Sequence, residues 1–347
     1  MAAVKPYRVG IVGAASLLGK ELAETLADSP LATSDLVLLD VEEAAGRLSS
    51  AGEEASFIQK LDADAISGLE IVFFAGDAET TRTYFSAARQ ANASVVDLTY
   101  AVENEPEAIL RGLWGGLLPR TKQPDLTTPA VVSAHPAALM LALLTRRVRN
   151  RLPIRTVAAT FFEPASEHGQ AAMDELHQQT VSLLSFQSIP REQYDAQIAF
   201  NMVPALGDAA KLKLSAIRER ILQHYRSICG DEAAASVIVQ VVQAPVFHGY
   251  TAAIFVELEA PASSREFEAA AQGDRIDLVG AESDPPSNLS AAGQADMLMQ
   301  VRSADAETGR GAQFWVWLAA DNLKVAAANA IACANELQRM RPHGSVQ

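Results

Sequence analysis

Gly13-Ala14-Ala15-Ser16-Leu17-Leu18-Gly19 is the segment whose residue types and spacing most directly suggest ligand chemistry. It lies where an apolar run, Arg8 to Gly13, gives way to Leu17, Leu18, Leu22 and Leu26 at helical spacing. Glycine at a strand-to-helix turn permits a tight reversal and close approach of a pyrophosphate, whose charge the helix N-terminus attracts. The middle glycine of the usual pattern is absent and Ser16 stands in the turn, hindering that approach while adding a hydroxyl donor. Gly13 and Gly19 are also compatible with tight strand–helix packing and no ligand at all. Asp40 ends the second apolar run about 20 residues further on, where an acid commonly bonds a ribose 2′-hydroxyl. With Glu42 and Glu43 beside it, three carboxylates would repel a 2′-phosphate, so NAD is favoured over NADP. A solvated acidic loop is the other reading of the same residues.

The elements that must position these residues follow from periodicity. After the first strand and helix, Leu36 to Leu39, Ile71 to Gly76, Ser94 to Asp97 and Ala130 to Ser133 are continuous apolar runs, with a helical stretch after Gly76. Such runs alternating with helices predict a parallel, doubly wound sheet. Beyond about residue 150 the pattern changes. Arg155 to Phe162, Ser236 to Val242, Thr251 to Leu258 and Gln313 to Leu318 read as strands, and residues 169–184 and 211–226 as helices. This predicts a second domain on a mixed sheet. Its strands are too apolar for a sheet with one wet face, so one face is expected to meet another subunit. An Ala-rich final helix is expected from Asp321 to about Met340, and residues 282–295, with Pro285-Pro286, read as irregular.

Composition narrows the function classes. A chain of 347 residues with net charge −14 suits two globular domains and is a poor partner for nucleic acid. Only Cys229 and Cys333 are present, without metal-ligand spacing, so neither disulfide nor metal is expected. No cationic leader precedes the first strand, and no apolar run approaches the roughly 18 residues of a membrane span. A cytoplasmic protein is the expectation.

Four segments occur in an order that resembles the aspartate-semialdehyde dehydrogenase family over nearly the whole chain. They are Val9 to Leu22, Ala199-Phe200-Asn201-Met202-Val203-Pro204, Ala244-Pro245-Val246-Phe247-His248-Gly249-Tyr250 and Asp321-Asn322-Leu323-Lys324. The resemblance implies a Rossmann-type domain at 1–133 plus 321–347 and an α+β dimerisation domain at 134–320. It also implies a homodimer, and Gly13, Ala15, Ser16, Leu17, Leu18, Asp40, Gly76 and Asn322 as cofactor contacts. The family's chemistry is thiolate attack on an aldehyde, hydride transfer to NADP, and release of the thioester by phosphate. It requires a low-pKa cysteine, a histidine base, and arginines for carboxylate and phosphate.

This chain departs from that pattern at each of these positions. The cysteine falls at Ala138, in Ser133-Ala134-His135-Pro136-Ala137-Ala138, and the histidine at Tyr250. The carboxylate-binding arginine falls at Gln243, and the phosphate-site arginine at Glu103, after Val95-Val96-Asp97-Leu98-Thr99-Tyr100. A glutamine becomes Glu163, and the cofactor-loop arginine falls at about Glu43. Lys213 loosely matches a phosphate-site lysine. Replacing arginine by carboxylate turns attraction for anions into repulsion, and residues of a catalytic unit fail together. The reading is a cysteine-less relative without the family reaction, with a nucleotide or other small molecule as a possible ligand. Its alternatives are another NAD-dependent chemistry on Tyr250 and His248, with His135, His168 and Glu163 nearby, or a non-catalytic dimeric interaction protein. Free amides at the helix starting with Ala137 and Ala138 could hold an anion. Arg146, Arg147 and Arg149 read as a solvated face or as charges offsetting that helix's C-terminal dipole.

Overall fold

Consecutive apolar residues in the first strands face opposite ways, and each side meets its own core. The computed structural model describes residues 7–29, 31, 35–51, 54–118, 122–230, 236–280, 282–305 and 310–340. The chain divides into two units, Met1–Leu113 with Pro119–Ala134 and Ala326–Gln347, and Trp114–Leu118 with His135–Val325. The division falls a few residues later than the sequence places the final return, and it assigns the Trp114–Leu118 turn to the second unit.

In the first unit the elements run β1 (Arg8–Val12), α1 (Leu17–Ala27), β2 (Asp35–Asp40), β3 (Leu48–Ala51), β4 (Glu54–Phe57), β5 (Gln59–Lys60), α2 (Ala63–Ile66), β6 (Ile71–Phe74), α3 (Ala78–Gln90), β7 (Ser94–Asp97), β8 (Ile109–Arg111) and β9 (Val131–Ser133). Seven of the strands form one sheet of order β5-β2-β1-β6-β7-β9-β8, parallel throughout, and β3 and β4 form a separate hairpin. Ile11, Leu38 and Phe73 bury into a cluster with Leu22 and Leu26 of α1, while Val12, Leu39 and Phe74 bury into another with Phe85 of α3. Burial on both faces explains why these runs do not alternate in polarity.

The C-terminal helix supplies Ala327, Ala330, Ile331, Ala334 and Leu337 to the first of these clusters. Polar groups fix it at the sheet edge. The Asn329 amide donates to the Arg111 carbonyl at 3.0 Å and to Ser133 Oγ at 2.9 Å, and its oxygen accepts from Leu113 N at 2.7 Å. The buried Arg111 guanidinium forms a two-point ion pair with Glu336.

In the second unit the order is α4 (Pro136–Arg149), β10 (Ile154–Glu163), α5 (Gln170–Leu184), α6 (Leu214–Cys229), β11 (Ser236–Gln243), β12 (Tyr250–Ser263), α7 (Ser264–Ala271), β13 (Ile276–Leu278), α8 (Asn288–Ala291), β14 (Met297–Ser303) and β15 (Arg310–Ala320), after which α9 (Asn322–Met340) begins. The mixed sheet has the order β11-β10-β12-β15-β14-β13. Strand β11 lies parallel to β10, β13 lies parallel to β14, and the other neighbours are antiparallel. On one face Val157, Ala159, Phe161, Ala252, Ile254 and Val256 are buried. The other face carries Phe162 against Trp317 and Phe255 against Trp315, with ring centroids 5.9 and 5.5 Å apart. There Ile238 is 60% and Trp315 51% exposed, so an apolar face stands uncovered on the single chain. No described helix is long and apolar enough to cross a membrane.

Several short elements were not foreseen from the sequence. Strands β3, β4, β5, β8, β13 and β14 and helices α2, α7 and α8 are additions, and α8 lies inside the segment read as irregular.

Candidate functional site

The glycine turn of the first unit is built by backbone packing. Gly13 has φ +85°, and a Cβ there would stand 2.3 Å from Gly76 Cα and N; a Cβ at Gly19 would stand 2.1 Å from Gly13 O. Gly13 and Ala14 donate their amides to Leu39 O at 2.9 and 3.1 Å, and Ser16 N donates to Gly13 O at 3.0 Å. Ala15 N donates to Asp40 Oδ2 at 2.7 Å, and Val41 N to Asp40 Oδ1 at 2.8 Å. The Ser16 hydroxyl accepts from Gly19 N and donates to Ala75 O, both at 2.8 Å. Ser16 therefore caps α1 and directs its hydroxyl proton to Ala75 O. What the turn still presents are the Leu17 and Leu18 amides, which the first helical turn leaves without an internal acceptor. Asp40 binds its own turn, yet each of its oxygens retains a lone pair that a ribose hydroxyl could use. Glu42 pairs with Lys60 at 3.1 Å, and Glu43 is exposed.

Glu103 lies half-buried in the loop after β7, which Asp97 organises by accepting from Thr99 N and Oγ1, both at 2.7 Å, and from Val102 N at 3.0 Å. Burial raises the Asp97 carboxyl above its ordinary range against those bonds, and the Glu103 charge adds to the rise.

In the second unit the positions that the resemblance assigns to the family's site fall among buried polar side chains. Ala138, Glu163, Gln243 and Tyr250 are all fully buried. Tyr250 Oη donates to Glu163 Oε1 at 2.8 Å. His168 Nε2 lies 3.2 Å from Glu163 Oε2, an ion-pair contact without the alignment of a hydrogen bond. Gln243 spends its amide on main-chain carbonyls, Glu163 O at 3.0 Å and Ala244 O at 3.3 Å. An arginine's two-point grip on a carboxylate is absent from that position.

The start of α4 is closed by His135. Its Nδ1 accepts from Ala137 N at 3.2 Å and caps the helix, while its own amide donates to His224 Nδ1 at 3.0 Å. The Ala137 amide expected to be free is therefore taken. His135 Nε2 stands 3.2 Å from Glu167 Oε1. Glu167 Oε2 accepts from Asn322 Nδ2 at 3.0 Å, and Asn322 Oδ1 accepts from Ser166 Oγ at 3.1 Å and Gly249 N at 3.2 Å. The Asn322 side chain, expected to meet a cofactor, is thus fully buried and committed to the second unit's own groups.

Burial holds the His135 imidazole far below its ordinary pKa, and the charges of His224, Arg220 and His168 act the same way. Burial, then the Glu163 charge, pushes the Glu167 carboxyl up to about 7, against His168, Asn322 and Arg220. For His168, burial acts downward but is outweighed by the Glu163 charge and contact and by Glu167, so its pKa is raised.

The remaining sequence candidates lie outside this cluster. His248 is half-exposed and makes none of the cluster's bonds among the described residues. Lys213 Nζ donates to Gly207 O at 3.3 Å and Asp208 O at 2.7 Å. Arg146 and Arg147 hold the Trp114–Leu118 turn, through Leu118 O at 2.6 Å and Gly115 O at 3.0 Å, which corrects the reading of a plain solvated face. Glu167, His224 and Arg220 belong to the site and were not read from sequence. The one available signal was an acid next to His168 in Pro164-Ala165-Ser166-Glu167-His168.

Neither thiol resembles a nucleophile. Burial lifts Cys229 to about 11, beside Tyr225 and Thr145, and lifts Cys333 further, above the ordinary thiol range.

Comparison with known proteins places these observations. Residues 8–132 match the family model described as semialdehyde dehydrogenase, NAD binding domain, and residues 147–325 the model of its dimerisation domain. An aspartate-semialdehyde dehydrogenase of Rickettsia bellii is 26% identical over 341 residues, covering 96% of this chain and 98% of the relative. The USG-1 protein homolog of Pseudomonas aeruginosa is 28% identical over 333 residues, covering 94% and 96%. A solved probable aspartate-semialdehyde dehydrogenase from Pseudomonas aeruginosa superposes with TM-score 0.81 at 27% identity, covering 95% of this chain and 98% of that one. The aspartate semialdehyde dehydrogenase II of Vibrio cholerae gives the same TM-score at 23% identity, covering 96% and 99%, a likeness of fold. With both domains matched in order, this chain belongs to the semialdehyde dehydrogenase family.

Proposed function

We propose that this chain is an aspartate-semialdehyde dehydrogenase-like protein without the phosphorylating dehydrogenase reaction. The observation that carries the reading is Ala138, a buried methyl group at the helix start where the resemblance places the family's nucleophile. The supporting observations are the tyrosine, glutamine and glutamate at the base and anion positions, each engaged with protein groups or bearing the wrong charge for an anion.

A dinucleotide suits the first unit's turn, where Leu17 and Leu18 would hold a pyrophosphate through their amides and Asp40 a ribose hydroxyl. The bound cofactor would supply hydride acceptance. The carboxylates of Asp40, Glu42 and Glu43 favour NAD over NADP. A homodimer would bury the uncovered aromatic face of the second sheet, which supports assembly as part of the role. A different oxidoreductase chemistry on Tyr250 and His248 has less support, because Tyr250 is fully buried against Glu163 and His248 stands apart.

The test is an absorbance assay at 340 nm with purified protein, aspartate semialdehyde, phosphate, and NAD or NADP. The expected trace matches the protein-free control with either nucleotide. Reduced cofactor that forms only when aldehyde and phosphate are both present would end the proposal.

A further inference from the structure

We propose that the buried Glu167–His135 pair is a proton-operated latch on the first turn of α4. The inference starts from which atoms have hydrogens to give. Because His135 Nδ1 accepts from Ala137 N, that nitrogen carries no proton, so the neutral ring has its hydrogen on Nε2, 3.2 Å from Glu167 Oε1. The other carboxylate oxygen accepts from Asn322 Nδ2. The Asn322 amide cannot turn over, since its oxygen already accepts from Ser166 Oγ and Gly249 N. Glu167 in its charged form therefore accepts a hydrogen bond from Asn322 and stands in ion-pair contact with the His135 Nε2–H.

Adding one proton upsets this arrangement. If the Nε2 proton moves to Glu167 Oε1 while the solvent proton arrives at Nδ1, the pair becomes a neutral acid facing the other imidazole tautomer. Atoms and charge balance, no cation forms on an imidazole that burial holds far below its ordinary pKa, and Nδ1 gains a hydrogen. A protonated Nδ1 then faces the Ala137 amide donor to donor, and the cap is lost.

The charged and titratable groups around the pair come from every element packed on it. Glu163 lies at the end of β10, His168 is in the same turn as Glu167, and Arg220 and His224 are on α6. Tyr250 of β12 meets the His135 ring with centroids 6.1 Å apart, and Asn322 opens α9. Two carboxylates so close disfavour a second negative charge, which supports proton uptake within the ordinary pH range.

Full-length protein labelled with 15N-histidine tests the latch directly, with His135 assigned by the signal missing in a His135→Asn variant. The expected result is an Nε2–H tautomer at pH 8.5 that gives way to a protonated Nδ1 by pH 5.5. In parallel, hydrogen exchange of the peptide starting at Ala137, corrected for intrinsic rates, should accelerate about fivefold, the equivalent of one lost cap. Glu167→Gln makes the acid permanently neutral. Asn322 would fix its oxygen, so its amide nitrogen faces His135 and the protonated-Nδ1 form should persist at pH 8.5. Should that variant not fold, the wild-type titration decides alone. Retention of the Nε2–H tautomer from pH 8.5 to 5.5, with first-turn exchange unchanged, would overturn the proposal by placing any added proton elsewhere.

Discussion

Gly13→Ala should cost about 4 kcal/mol of folding stability, read as a lowered urea midpoint with an unchanged slope. Two effects combine. A φ of +85° strains any residue with a side chain, by about 1–3 kcal/mol. The new methyl would also stand 2.3 Å from the Gly76 backbone, a contact that only a separation of the β1 and β6 ends could relieve. Gly46→Ala separates the two effects. Gly46 has φ +80° but nothing within 4 Å of where its Cβ would stand, so only the strain of about 1 kcal/mol should appear. Equal losses in the two variants would mean that the turn is looser than described and that its glycines do not serve packing. The contrast bears on function, because a glycine required by two crossing backbones is not by itself a sign of nucleotide binding.

Tyr250→Phe should destabilise the second unit by about 3 kcal/mol in the same experiment. The phenol donates to Glu163 Oε1 at 2.8 Å, and Glu163 is fully buried, with His168 as its other close polar neighbour. Removing the hydroxyl leaves a buried carboxylate with one hydrogen-bond donor fewer. Glu163→Gln keeps an acceptor for Tyr250 and removes the charge, so its expected cost is under about 1 kcal/mol. The opposite order, with Glu163→Gln the more damaging, would indicate that the carboxylate's charge is itself stabilising, as a working acid–base site would require.

The central strands were legible because a parallel sheet buries both faces, leaving unbroken apolar runs such as Leu36 to Leu39 and Ile71 to Phe74. Strand β5 was not, since Gln59 and Lys60 are both exposed and carry no apolar signature. Strand β14 buries Met297, Met299 and Val301, an alternation that follows an acidic, Pro-rich segment and is muted by Gln300 being buried too.

The site divided in the same way. Ala138, Glu163, Gln243 and Tyr250 were named only through the family resemblance, which assigns them places along the chain. Their partnerships could not. His135 meets the side chain of His224 across 89 residues, and Asn322 reaches Glu167 across 155, separations on which local periodicity is silent. Ser16 and Asp40 were placed in the correct turn, but the backbone bonds they make there, Ser16 to Ala75 O and Ala15 N to Asp40, join residues 59 and 25 apart that no local pattern connects.

The central claim is that no thiolate attacks an aldehyde in this protein, and covalent trapping examines that step alone. Native protein is incubated with aspartate semialdehyde and NAD or NADP in phosphate-free buffer, so that any thioester cannot be released, and its intact mass is recorded. The predicted spectrum is that of unmodified protein with either cofactor. An acyl adduct that maps to Cys229 or Cys333 would contradict the claim.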